Sequence, residues 1–192
     1  MADRASGSPA ITVETELDEQ TVAAYWKLYR ETFAELETRA MARHLLHEHE
    51  FVEEMTDPRV MKYVARNADG EVVGLSTLTR DLETVPWISP GWWAHHYPEH
   101  TARNAVYYLG FTLVRQDQRQ TSVMWSMIST IVEMLVAEKA VCGYDYCKFN
   151  NEVLRLGPGT EALLHRIADV EVEATDTQTY YTALFSGPPR SS

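Results

Sequence analysis

The sequence is short of cysteine, of basic charge and of long apolar runs, and each shortage narrows what the chain can be. Its two cysteines, Cys142 and Cys147, flank a strand-like run of about six residues. Their odd spacing puts them on opposite faces of a regular strand, so no disulfide is expected and each reads as a packing residue. No apolar run approaches a membrane span, and Met1 to Pro9 lacks the apolar stretch of a signal peptide. A membrane partner is therefore not expected, and the cytoplasm is the expected compartment. The 17 Lys and Arg face 28 Asp and Glu, a net charge of -11, and no window concentrates the basic residues. That field repels a polyanion, so nucleic acid is not an expected partner. A small anionic cofactor remains admissible, because backbone amides at a helix start hold phosphate on an acidic protein.

A metal site is missing too. His44, His47 and His49 cluster with Glu48 and Glu50, and His44 with His47 stand three apart, as two ligands on one helix do. Nothing supplies a third ligand, and the order His-Glu-x-x-His is absent, so no metal is expected.

What is present is enough for one core. With 192 residues, 45% of them hydrophobic, and no repeat or internal linker, the chain reads as a single domain over 10–185. The stretches 1–9 and 186–192 are low in apolar content and read as frayed, disordered tails.

Ile11 to Glu16 alternates as a strand. Asp18 then offers a helix N-cap, and Val22, Trp26, Tyr29, Phe33 and Leu36 recur at helical spacing. A second helix is expected over Met41 to Met55, ending before Asp57-Pro58. Val60 to Arg66 and Glu71 to Arg80 form a hairpin across Asn67-Ala68-Asp69-Gly70, since Asp-Gly supplies the positive φ the turn needs. Arg103 to Val114 is a buried strand. Met124, Met127, Ile128, Ile131, Met134 and Leu135 mark an amphipathic helix, and Tyr144 to Phe149 a further strand. Thr160 to Ile167 is a short helix, and Val170 to Thr175 with Thr179 to Phe185 a closing strand pair. The order predicts an α/β fold, a mixed sheet with helices packed on it.

This order, together with Val72-Val73-Gly74-Leu75 after a hairpin and a long apolar strand running into a helix at Arg119, resembles the GCN5-related N-acetyltransferases. The resemblance implies an acyl-CoA N-acyltransferase-like, mostly antiparallel mixed sheet flanked by helices. It also implies acetyl-CoA, or another acyl-CoA, as cosubstrate. In that family the strand-to-helix junction reads Arg or Gln, two residues, Gly, one residue, Gly or Ala, and small residues let the amides approach the pyrophosphate. Here the junction follows Val114 and reads Arg119-Gln120-Thr121-Ser122-Val123-Met124. Arg119 matches. Ser122 and Met124 replace the glycines, and Met124 could fill the space of a diphosphate. Asn150 and Asn151 align where the family often carries an Asn that contacts pantetheine; they could equally turn the chain. His165 stands where the family often has the tyrosine that protonates the departing thiolate. It is either that acid or a surface histidine, with Tyr180 and Tyr181 as the alternative acids.

The segment Asp81 to Ala102 is far longer than a usual connection and holds Trp87, Trp92, Trp93, His95, His96 and His100. So aromatic a stretch is a pocket wall, a plug completing the core, or a subunit interface, which leaves a homodimer open. The resemblance favours a wall of the acceptor pocket, with Tyr107 nearby. The fourth strand, where the family often carries a base, shows Tyr107 and Tyr108 but no carboxylate; His95, His96, Glu99 and His100 lie just upstream and are the candidates for the base. Two functions follow: acyl transfer from coenzyme A to the amine of a small-molecule acceptor by direct attack, or a non-catalytic interaction protein on the same fold, its phosphate loop closed by Met124.

Overall fold

The computed structural model describes residues 9–41, 45–118 and 122–187. Strand β1 (Ala10–Glu14) leads into helix α1 (Glu19–Phe33), a short α2 (Leu36–Arg39) and α3 (Glu48–Thr56). Strands β2 (Val60–Arg66) and β3 (Val72–Thr79) follow, then α4 (Pro90–His96), α5 (Pro98–Ala102) and β4 (Val106–Val114). The chain continues through α6 (Val123–Ala137) and β5 (Val141–Gly143) to α7 (Leu156–Ile167). Among the described residues there is one five-stranded sheet in the order β1-β2-β3-β4-β5. Its first four strands are antiparallel neighbours, and β4 and β5 are parallel. The parallel pair needs a crossover, which α6 supplies. The mixed, mostly antiparallel sheet flanked by helices is the fold class expected from sequence.

Local chemistry explains the boundaries. Asp18 accepts from the Thr21 amide at 2.7 Å and caps α1. Gly70 takes a φ of +81° in the β2–β3 turn, where a side chain would be strained.

Helices cover both faces. On one, Val22, Tyr25 and Tyr29 of α1 and Phe51 and Met55 of α3 pack on Val64, Leu75 and Leu113. On the other, Val123 and Met127 of α6 pack on Ala65, Val73 and Val114, and Ile131 packs on Tyr63, Leu78 and Tyr107. The start of α6 comes close to β3 at Gly74, where a β-carbon would stand 2.5 Å from Met127 Sδ and 3.1 Å from Val123 Cγ1.

Several elements depart from expectation. The second helix begins at Glu48, not Met41, because the Glu50 carboxylate accepts from the His47 amide at 2.7 Å and makes His47 the cap. His44 lies outside the described residues. The strand expected at Tyr144 to Phe149 lies earlier, at Val141–Gly143, since pairing with β4 ends at Tyr108↔Gly143; Phe149–Val153 is instead a π-helical turn. The segment Asp81 to Ala102 is not an open loop but carries α4, capped by Ser89 and opened by Pro90, and α5, opened by Pro98. The closing strands at Val170 to Thr175 and Thr179 to Phe185 are absent: residues 168–187 have no strand, and 173–187 are exposed throughout. Alternation states a preference for β structure, but a strand exists only against a partner edge.

Candidate active site

The site is organised by an irregularity in β4. Ser76 pairs with Thr112 and Leu78 with Leu109, so Gly110 and Phe111 both stand opposite Thr77. This one-residue bulge reverses the strand's facing. Tyr107 and Leu109 point toward α6, whereas Phe111 and Leu113 point toward α1 and α3. Gly110 is the exposed residue of a strand otherwise covered. A β-carbon there would stand 2.6 Å from Thr77 Oγ1 and 3.4 Å from Glu54 Oε1, so the bulge places bare backbone beside a carboxylate.

Glu54 comes from α3, between Phe51 and Met55 on the helix's buried face. Burial pushes its carboxyl above the ordinary range, with the Thr77 hydroxyl and the Lys62 ammonium pulling the other way. Thr77 is itself buried and accepts from the Phe111 amide at 3.3 Å, so one hydroxyl links the bulge's backbone to the carboxylate.

Beside the bulge, Tyr108 donates to Asp145 Oδ1, and Trp87 Nε1 lies 3.3 Å from both the Tyr108 hydroxyl and Asp145 Oδ1. Burial, reinforced by the Asp145 charge, holds the Tyr108 hydroxyl well above its usual range, so it remains a donor. Trp93 meets Tyr108 edge-on at 6.5 Å and lies over Gly143, where a β-carbon would come within 2.6 Å of its ring. Glu54, Thr77, Thr84, Trp87, Tyr108 and Gly110 line one shallow cleft.

Beyond Tyr108 and Gly143 the pairing of β4 with β5 stops, while β4 continues to Val114 before the start of α6. The antiparallel meander, the parallel fifth strand and the helix that follows the fourth strand make the mixed sheet that the resemblance implied. The fold is that of the GCN5-related N-acetyltransferases.

Solved structures match this acetyltransferase fold. An aminoglycoside N-acetyltransferase in complex with CoA is 15% identical with a TM-score of 0.52, over 95% of this chain and 99% of that one. A ribosomal-protein-alanine N-acetyltransferase from Brucella melitensis biovar Abortus 2308 is 11% identical with a TM-score of 0.51, over 90% and 99%. An aminoglycoside acetyltransferase from an uncultured soil metagenomic sample, in complex with sisomicin, is 14% identical with a TM-score of 0.50, over 90% and 96%. No protein-family model and no curated protein matches the sequence.

The residues singled out from sequence are scattered over this fold. Arg119, Gln120 and Thr121 lie outside the described residues. Ser122 caps α6 by position without a side-chain hydrogen bond; Val123 is buried, and Met124 is exposed on the first turn. Val114 closes β4 in the core. Asn150 and Asn151 sit in the π-helical turn and not at a strand end; their amides reach Cys147 Sγ at 3.5 Å and Cys147 O at 2.9 Å. Trp87 and Trp93 flank Tyr108, whereas Trp92 stacks on His96 at 4.2 Å. Tyr107 faces α6, donates to Glu138 Oε2 at 2.6 Å and lies under the Arg80 guanidinium. His100 is on α5, six residues before β4 begins and ten before Gly110 of the bulge. His165 is half-exposed on α7, 3.9 Å from Glu161. Tyr180 and Tyr181 stand on the exposed C-terminal segment.

Sequence reasoning looked to His95, His96, Glu99 and His100, just before the fourth strand, and did not bring Glu54, Thr77, Tyr108, Gly110 and Asp145 together as a group. Two signals were present: a carboxylate at the i+3 position between Phe51 and Met55 on an apolar helix face, and a lone glycine within an apolar strand, the mark of a bulge.

Proposed function

We propose that this protein is an N-acyltransferase that moves an acetyl or other acyl group from coenzyme A to the amine of a small molecule, with Glu54 as general base. The observation that carries the reading is a half-buried carboxylate of raised proton affinity beside the exposed backbone of a bulge, at the point where β4 and β5 part. An ammonium has no lone pair, so the acceptor must lose a proton before it attacks, and a carboxylate of raised pKa takes that proton more readily than an ordinary one. Thr77, buried beside Glu54, tempers that rise. Asp145, fixed by Tyr108 and Trp87, adds a second negative charge among aromatic faces, a setting that favours a cationic acceptor. The acceptor enzymes of the same fold, with sisomicin or CoA bound, support a small-molecule amine and a coenzyme A thioester.

The residues present fit the thioester donor. Gly110 leaves the middle of β4 open, and the start of α6, where backbone amides can hold phosphate, follows the end of that strand. Ser122 and Met124 would border the pyrophosphate there. When bound, coenzyme A supplies the activated acyl group as a thioester. The rival reading, an interaction protein closed by Met124, is weakened by that side chain's exposure, which leaves it free to swing aside.

The test is thermal. Acetyl-CoA at a hundred times its Kd should stabilise the native chain by about 2.7 kcal/mol and raise Tm. A melting temperature indifferent to millimolar acetyl-CoA would sink the reading.

A further inference from the structure

Lys62 puts a charge in the core. It is fully buried, at 0% exposure, and its Nζ donates to Asp57 O at 2.7 Å and to Thr15 O at 3.0 Å. Both acceptors are backbone carbonyls, so no bonded carboxylate cancels the charge. A buried ammonium held in this way is costly, and a methionine of similar length would fill the same space at less cost. What the charge faces accounts for it.

Lys62 faces the proposed base. Along β2, Val64 packs toward α1 and α3 and Tyr63 toward α6, so alternation turns Lys62 to the side of α1 and α3. Lys62 stands opposite Thr77 in the β2–β3 register, and Thr77 stands opposite the bulge at Gly110. Glu54 Oε1 and Thr77 Oγ1 lie 3.4 Å and 2.6 Å from where a Gly110 β-carbon would be. Lys62, Thr77 and Gly110 therefore form a row across three strands, and Glu54 of α3 reaches that row. The ammonium also holds the helix. Asp57, whose carbonyl it takes, is the C-cap of α3, and Thr15 follows β1. The other charges here have partners of their own. Glu14, opposite Lys62 on β1, binds Arg66 at 3.0 Å and accepts from the Tyr25 hydroxyl. The Asp57 carboxylate is on Arg59 at 2.6 Å, and Asp145 of the cleft is on Tyr108. Lys62 is thus the cation that favours the ionised form of Glu54 while burial opposes it, and Asp57 and Glu54 in turn support the ammonium.

We propose that Lys62 is the positioning residue of the general base: its buried ammonium fixes the last turn of α3 and keeps the Glu54 carboxylate ionised at the pH where the acceptor gives up its proton. The inference rests on the reading of Glu54 as base. It gives Lys62 two separable tasks. Holding two carbonyls needs only a donor, whereas biasing Glu54 needs a cation. The working pH is then set by a residue outside the lining of the cleft.

Carboxyl NMR of Glu54 in the full chain, with no substrate present, reads the effect of the charge. Lys62→Gln keeps a donor for the carbonyls and removes the charge; Lys62→Met removes both. Each should raise the proton affinity of Glu54 about tenfold or more and move the acid limb of kcat/KM up by about one pH unit. Coupling between two sites is reciprocal, so Glu54→Gln should lower the proton affinity of Lys62 by the same factor, read by nitrogen NMR of its amine. That third variant decides the matter if neither Lys62 variant folds. A Glu54 midpoint unchanged in Lys62→Gln, or a Lys62 midpoint unchanged in Glu54→Gln, overturns the inference, because a role confined to holding the helix moves neither. A Glu54 midpoint that moves while the rate profile stays put upholds the coupling and overturns Glu54 as the base, which keeps the two claims apart.

Discussion

The Thr77 hydroxyl stands between Phe111 and Glu54: it accepts from the Phe111 amide at 3.3 Å and pulls against the rise that burial imposes on the Glu54 carboxyl. A helix, a strand and a bulge therefore meet at one oxygen. Burial leaves the Glu54 carboxyl less acidic than an ordinary one, against the pull of Thr77, and that has consequences for stability as well as for rate.

Because the folded chain raises the Glu54 pKa, it binds that proton more tightly than the unfolded chain does. The associated stability is complete below the ordinary glutamate value, about 4.3, and is lost as pH rises through the folded value. Glu54→Gln keeps a neutral side chain at every pH. It should melt with the wild type near pH 4 and above it at neutral pH, with the gap opening between. Melting curves across pH 4 to 8 check this; a variant less stable than wild type at pH 7 would mean the ionised carboxylate is a net stabiliser.

Gly110→Ala should damage the site more than the fold. The new methyl would meet Thr77 Oγ1 at 2.6 Å, and Thr77 is buried, so the hydroxyl must give way. Overpacking of this kind costs about 1–3 kcal/mol. The expected result is a drop in Tm together with a fall in kcat, since the new methyl crowds both Thr77 Oγ1 and, at 3.4 Å, Glu54 Oε1. Tm and kcat measured on the same preparation separate the two effects.

The tryptophans divide by position. Trp87→Ala removes the indole that contacts Tyr108 and Asp145 and should raise acceptor KM about tenfold, ~1.4 kcal/mol. Trp93→Ala uncovers Gly143 and should do the same with some loss of Tm. Trp92→Ala, whose ring stacks on His96, should leave acceptor KM unchanged. All three should hold coenzyme A affinity within about threefold, ~0.7 kcal/mol. Steady-state kinetics alongside cofactor titration checks the pattern.

Met124→Gly should leave coenzyme A affinity intact or tighten it, because the exposed side chain on the first turn of α6 is removed from the phosphate's approach. The helix pays up to about 1 kcal/mol for the glycine. Calorimetric titration measures it; a loss of binding beyond tenfold would show that Met124 contributes to the cofactor site.

Much of the fold was legible in the sequence because its signals are local. Asp18 caps a helix, Asp69-Gly70 turns a hairpin, and the apolar residues of β2, β3, β4 and α6 announce their burial. What was not legible depends on partners distant in the chain. Where β5 lies is decided by its pairing with Val106 to Tyr108, 35 residues upstream, and not by the aromatic run at Tyr144. The closing strands follow a clear alternation yet find no edge within the chain. The site was legible only in part for the same reason. Trp87 and Trp93 were found through their unusual density, but Glu54 comes to Gly110 only because α3 packs across a bulge 56 residues later.

The central claim is that Glu54 takes the acceptor's proton, and thiol release from acetyl-CoA with a small primary amine the wild type accepts tests it most directly. The wild-type kcat/KM should rise with pH as Glu54 ionises and then level. Glu54→Gln should fall about a hundredfold or more and should follow only the fraction of free amine in solution. A Glu54→Gln variant that folds, binds acetyl-CoA and keeps the wild-type rate and pH profile would contradict the account.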